Sequence, residues 1–96
     1  MKAVWNGTVL AESEATVTIN EAVYFPSDSV HREYFVPSDT TEKTELGVAT
    51  HYTLMVEGLE CVDGAITYEK PAAEVVEAVG TDFSNYVAFG SDVEVS

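Results

Sequence analysis

The chain has a single cysteine, Cys61, in 96 residues. One thiol forms no intrachain disulfide and supplies no multi-cysteine zinc site, so the natural reading is a protein of a reducing compartment. Basic side chains are nearly as scarce: Lys2, Arg32, Lys43 and Lys70 stand against 17 Asp and Glu, for a formal charge of −13. A field of that sign repels phosphate backbones and anionic lipid, which disfavours nucleic acid and membrane surfaces as partners. Long apolar runs are missing as well. Nothing approaches the roughly 18–20 apolar residues of a membrane span, and Asn6-Gly7 interrupts the N-terminal apolar run before a signal-peptide core forms. A cytoplasmic protein is expected. Abundant carboxylate with little lysine also fits a salt-rich cytoplasm, where counterions screen self-repulsion, so a halophilic source is expected.

What is present is enough apolar surface for one core. Hydrophobic residues make up 46% of the chain, with Trp5 joined by five Tyr and four Phe. A chain this short has room for one domain, residues 1–96, and no second. Asn6-Gly7 between Ala3-Val4-Trp5 and Thr8-Val9-Leu10 predicts a hairpin, because a type I′ turn needs positive φ at both central positions. Ala15 to Ile19 alternates with period two and is followed, after Asn20-Glu21, by Ala22-Val23-Tyr24-Phe25, which predicts a second hairpin. Ser27 is expected to cap a helical turn through Arg32. The polar, aperiodic stretch from Pro37 to Glu45 reads as a long loop.

Val48 to Val56 predicts a long strand, with Tyr52, Leu54 and Val56 on one face and His51, Thr53 and Met55 on the other. Turns at Glu57-Gly58 and Asp63-Gly64 would continue it as a three-stranded meander through Leu59–Val62 and Ala65–Tyr68. Pro71 opens the one expected helix, through Val79, and Gly80 closes it. Tyr86–Phe89 and Val93–Val95 form a last pair of strands around Gly90-Ser91-Asp92. The expected fold class is mainly β, with antiparallel hairpins and a meander in two packed sheets and one short helix in the C-terminal half.

Trp5-Asn6-Gly7, Tyr24-Phe25-Pro26, Pro37-Ser38-Asp39-Thr40, Gly47 with Tyr52 five residues on, Tyr68 before Lys70-Pro71, and the closing Tyr86-Val87-Ala88-Phe89 occur in a distinctive order. In that order and spacing the chain resembles the domain of unknown function family 427 over nearly its whole length. The resemblance implies a compact β-tent domain in which two antiparallel sheets lean together. Many members carry Cys-Pro-aromatic-Lys before the glycine that matches Gly47, whereas this chain has Lys43-Thr44-Glu45-Leu46. Chemistry that rests on that cysteine or lysine is therefore not carried over. The paired zinc-binding cysteines of related folds are missing too.

The family is sometimes labelled nucleotidyltransferase-like, and Val79-Gly80-Thr81 followed by Asp92-Val93-Glu94-Val95 resembles the pattern of those enzymes, whose acids two apart on a strand hold magnesium. Against this enzyme reading stand the scarcity of basic residues to grip a triphosphate and the lack of a third carboxylate downstream. Arg32, the only arginine, can clamp a carboxylate or phosphate through its planar fork, or pair structurally with Glu33 or Asp28. Tyr52 and Tyr68 can line a pocket with Trp5 and Tyr24, or fill the core. His51 has only His31 as a histidine partner, an incomplete metal site. Cys61, between Glu60 and Asp63, reads as an inert thiol, since flanking acids raise its pKa.

The leading expectation is a non-catalytic module for an unidentified small ligand or protein, without cofactor or metal, as monomer or homodimer. Its pocket would be lined by Arg32, Ser38, Thr40, Tyr52 and Tyr68 and roofed by the loop from Ser38 to Glu45. Magnesium-dependent nucleotidyl transfer through Asp92 and Glu94 is the alternative. A purely structural or oligomer-forming domain is the third reading.

Overall fold

The structure, a computed structural model, describes residues 1–19 and 22–96. Strands β1 (Lys2–Trp5) and β2 (Thr8–Glu12) form the predicted N-terminal hairpin. Asn6 and Gly7 both take left-handed backbone angles, φ 53° and 73°, which twist the turn to match its strands. Strands β3 (Val17–Ile19) and β4 (Ala22–Tyr24) pair antiparallel. Their expected turn at Asn20-Glu21 lies outside the described residues. Two 3₁₀ turns, Ser27–Ser29 and Arg32–Tyr34, replace the single expected helical turn. Ser27 does not cap: Pro26 holds that position, and the Ser29 hydroxyl donates to the Pro26 carbonyl at 2.7 Å.

The stretch expected as a loop is strand β5 (Phe35–Thr44), paired with β6 (Gly47–Val56). Edge position explains the error. A strand with one free edge and little burial needs no apolar alternation, and Thr40, Thr41 and Thr44 supply β-branched residues that suit an extended backbone. Asp63-Gly64 is not the expected turn, because β7 runs unbroken from Leu59 to Pro71. Asp63 takes φ 53° inside the strand, and the register with β6 shifts between Tyr52 and Leu54. A left-handed residue serves a β-bulge as readily as it serves a turn.

Helix α1 spans Ala73–Val79 and ends at Gly80, whose φ of 84° aims its N–H at the Val76 carbonyl at 2.9 Å. Pro71 is the last residue of β7 and lies outside the helix. The final two strands do not pair with each other: β8 (Val87–Phe89) joins β7, and β9 (Glu94–Val95) joins β1.

The fold is mainly β, three antiparallel sheets with one short helix: β2-β1-β9, β3-β4 and β5-β6-β7-β8. The last two are linked by Phe25 and Val87, which exchange hydrogen bonds of 2.8 Å in both directions. The four-stranded sheet buries residues on both faces. On the first face Leu54, Val56, Cys61, Ala65 and Val87 meet Ala3, Leu10, Ala11, Phe25 and Val93. On the second, Ala49, Tyr68 and Ala88 meet Ile19, Tyr24 and Phe83, flanked by Val75, Val76 and Val79 of the helix. Each large side chain removed from water contributes about 1.5–3 kcal/mol, which makes these two clusters the main source of cohesion. Among the described residues no helix is long and apolar enough to cross a membrane.

Directly opposed residues in antiparallel strands share a face, so the register arranges the first face in rows. Phe35, Leu54 and Cys61 form one row, and Pro37, Tyr52, Ala65 and Phe89 the next. Thr41, Thr50, Thr67 and Val87 follow. Lys43 and Val48 close the series, with Glu69 and Lys70 sharing the position opposite Val48 because the register shifts by one there. The first rows lie under the β2-β1-β9 sheet. The last is open, with Val48 51% exposed.

Candidate functional site

A cavity opens on the first face where the covered rows end. It is lined by Val30, Arg32, Phe35, Tyr52, Thr67, Asn85 and Val87. The floor is strand: Tyr52 from β6, Thr67 from β7 and Val87 from β8. The rim comes from the 3₁₀ turns, and the second of these, which carries Arg32, contacts β6. The Phe35 ring fixes Tyr52 edge-on, with centroids 5.9 Å apart, and itself leans on Phe89 at 5.9 Å. Thr67 is 3% exposed, and its hydroxyl donates to the Tyr86 carbonyl at 2.9 Å. Asn85 holds a left-handed backbone, φ 64°, and gives its N–H to the Tyr68 carbonyl at 2.8 Å.

The cavity offers about 40 Å³ to water-sized groups. One water needs about 10–15 Å³ by that measure, so about three such groups fit, the size of an acid head group. Arg32 is the only charge on its lining. Neither Glu33 nor Asp28 pairs with it, and the one ion pair among the described residues is Lys2 with Glu12 at 3.8 Å, both exposed.

The residues singled out from the sequence separate. Arg32 and Tyr52 line the cavity together. Tyr68 faces the other way, because it is registered with Ala49 while Tyr52 is registered with Ala65. It is buried among Tyr24, Phe83 and Ala88, its hydroxyl 3.1 Å from that of Thr44. Tyr24 is core on that side, and Trp5 packs against the first-face cluster. Ser38 and Thr40 sit where β5 slips register, and the Ser38 hydroxyl donates to the Asp63 carboxylate at 2.7 Å. No loop roofs the cavity from 38 to 45, since Ser38 to Thr44 are strand.

The remaining candidates are held by local structure. Cys61 is buried, and burial first, then the nearby Asp92 carboxylate, pushes its thiol pKa up. The thiol donates to Asp92 at 3.8 Å; Asp92, rather than Glu60 or Asp63, is the acid that acts on it. Asp92 lies in the turn before β9, while Glu94 is in the strand, so the two acids are not successive same-face residues of one strand. Among the described residues no three of His, Cys, Asp and Glu gather at metal-binding spacing. His31 is exposed beside the Tyr34 ring, at 6.4 Å. His51 lies opposite Ile66, with a buried Nδ1 that has no hydrogen-bond partner among the described residues.

Sequence reasoning missed Val30, Phe35, Thr67, Asn85 and Val87. Thr67 and Val87 carried no local signal, because only the pairing of β7 with β6 and β8 brings them beside Tyr52. Asn85 did carry one: asparagine after Asp82-Phe83-Ser84 is a residue that tolerates left-handed backbone in a turn. No curated protein matches the chain. A family model described as a domain of unknown function (DUF427) matches residues 1–95, and the chain belongs to that family.

Proposed function

We propose that the chain is a non-catalytic binding module whose cavity takes the acid head group of a small molecule. One observation carries this reading: the only arginine stands without a carboxylate partner among the described residues, at a cavity sized for a carboxylate or phosphate. The guanidinium presents two parallel N–H donors to such a group. Val30, Phe35 and Val87 supply apolar walls that lower the local dielectric and strengthen the contact. The Tyr52 hydroxyl and the Asn85 side-chain amide add neutral donors that fix orientation. Against a background of −13, anions do not accumulate on this surface in general, so recognition is confined to where basic charge is local. The same excess of carboxylates supports a salt-rich cytoplasm as the setting.

Titration of acetate and of inorganic phosphate into the labelled protein, followed by amide and side-chain NMR shifts, tests the reading. Saturable shifts are expected at Tyr52, Thr67 and Asn85, and they should be lost in Arg32→Ala. Arg32→Lys should bind more weakly than wild type, since a single ammonium makes no bidentate contact. Absence of saturable shifts, or shifts unchanged in Arg32→Ala, overturns it.

A further inference from the structure

The cavity is too small to enclose a whole ligand, and what lies beside it on the same face is unusual for this chain. Thr67, in the cavity, is directly opposed to Thr50, which lines a second, shallower depression of about 210 Å³ with Val48, Glu69 and Lys70. The two hollows therefore adjoin along one sheet face. Lys43 is registered with Val48 and so projects on that face too. Three of the four basic residues of the chain, Arg32, Lys43 and Lys70, thus surround one polar strip, and none of them has a carboxylate partner among the described residues. The fourth, Lys2, is spent on Glu12.

Two acids of these strands lie on the other face. Glu42 is registered with Ala49 and Glu60 with Met55, which places both on the second face. Of the acids, only Glu69 lines either hollow, beside Lys70. In a chain with 17 acids, this is where positive charge collects. The floor between the two ends is the threonine row, where Thr41 and Thr50 offer hydroxyls rather than apolar surface and Thr67 has its hydroxyl given to the Tyr86 carbonyl.

We infer that this strip binds a linear small molecule carrying two acid groups, one seated at Arg32 in the cavity and the other held by Lys43 and Lys70. Four residue steps along β6, from Tyr52 to Val48, separate the two ends, about 13 Å at the rise of an extended strand. The long basic side chains reach inward, so the acid groups stand roughly 10 Å apart. Glu69 accepts a hydrogen bond from a hydroxyl or ammonium next to the far acid. The inference rests on the head-group reading above, and it adds the length and second charge of the ligand.

Calorimetric titration of the full chain at one fixed potassium chloride concentration, with linear dicarboxylates from succinate to dodecanedioate and the monocarboxylate of each length, tests it. Affinity relative to the matching monocarboxylate should rise to about tenfold at an intermediate length and fall beyond it, as expected when a linker matches its span. In Lys43→Gln/Lys70→Gln that ratio should drop to one. In Lys2→Gln, which removes the same kind of charge elsewhere, the ratio should persist. Monocarboxylate binding that depends on Arg32, with no gain from a second acid at any length, overturns the strip and leaves the cavity standing. Failure of Arg32-dependent binding altogether overturns the cavity reading instead. A dimer by sedimentation that dissociates in Lys43→Gln/Lys70→Gln also overturns the inference, because a second acidic copy would then occupy the strip.

Discussion

Gly64 is required for space and not for its backbone angle, and that distinction can be measured. Its own φ is not left-handed; the left-handed residue of the bulge is Asp63. A Cβ at Gly64 falls 2.7 Å from Cys61 Sγ, 2.9 Å from Leu54 Cδ1 and 3.2 Å from the Cys61 carbonyl oxygen. Both side chains belong to the first-face cluster, with Leu54 fully enclosed, so neither has room to swing away. Overpacking a close-packed core by one methyl costs about 1–3 kcal/mol. At about 4–8 °C per kcal/mol for a domain this size, Gly64→Ala should lower Tm by about 5–20 °C.

The nearest obstacle is the sulfur, so a double-mutant cycle isolates the mechanism. Cys61→Ala removes it and should recover about 1 kcal/mol of the Gly64→Ala loss, leaving the contacts with Leu54 and the carbonyl. Thermal and urea unfolding by circular dichroism supplies all four corners. A Gly64→Ala protein as stable as wild type, or strictly additive losses, would refute the steric account. Additivity is also what a hairpin turn at this position would give, since strain there would come from the dihedral and not from the thiol.

Burial, with Tyr68 adding to it, pushes the Tyr24 phenol up to about 12 from an ordinary 10.0. The folded state therefore holds this proton more tightly than the unfolded chain; the contribution is intact below pH 10 and lost as pH rises toward about 12. Tyr24→Phe should flatten the alkaline fall of Tm by the equivalent of about 2–3 kcal/mol, and an identical fall in the variant would rule the group out. With 17 acids against four basic residues, Tm should climb from low salt to molar potassium chloride; a melt equally stable at low salt would remove the halophilic reading.

Local rules in the sequence were reliable where a structure depends on adjacent residues. Asn6-Gly7 made a turn because few dipeptides accept positive φ twice, and Gly80 ended the helix for the same conformational reason. Period-two alternation located β3 and β6. The failures have a shared cause. Pro37–Thr44 became a strand because β6 offered it partners, and Asp63 became a bulge because hydrogen bonding to β6 continued past it. Neither fact is written locally, since each depends on which residues of β6 the strand is registered against.

Composition and alternation thus determined a mostly β, acidic, single-cysteine chain, and the order of its motifs pointed to the family. Which tyrosine meets the cavity was decided by strand register alone. A period of two sends Tyr52 and Tyr68 to opposite faces once Ala49 is matched with Tyr68 and Ala65 with Tyr52. The same register carries Lys43 and Lys70 to the side of the sheet where the turn before β5 sets Arg32, three residues scattered over nearly forty positions.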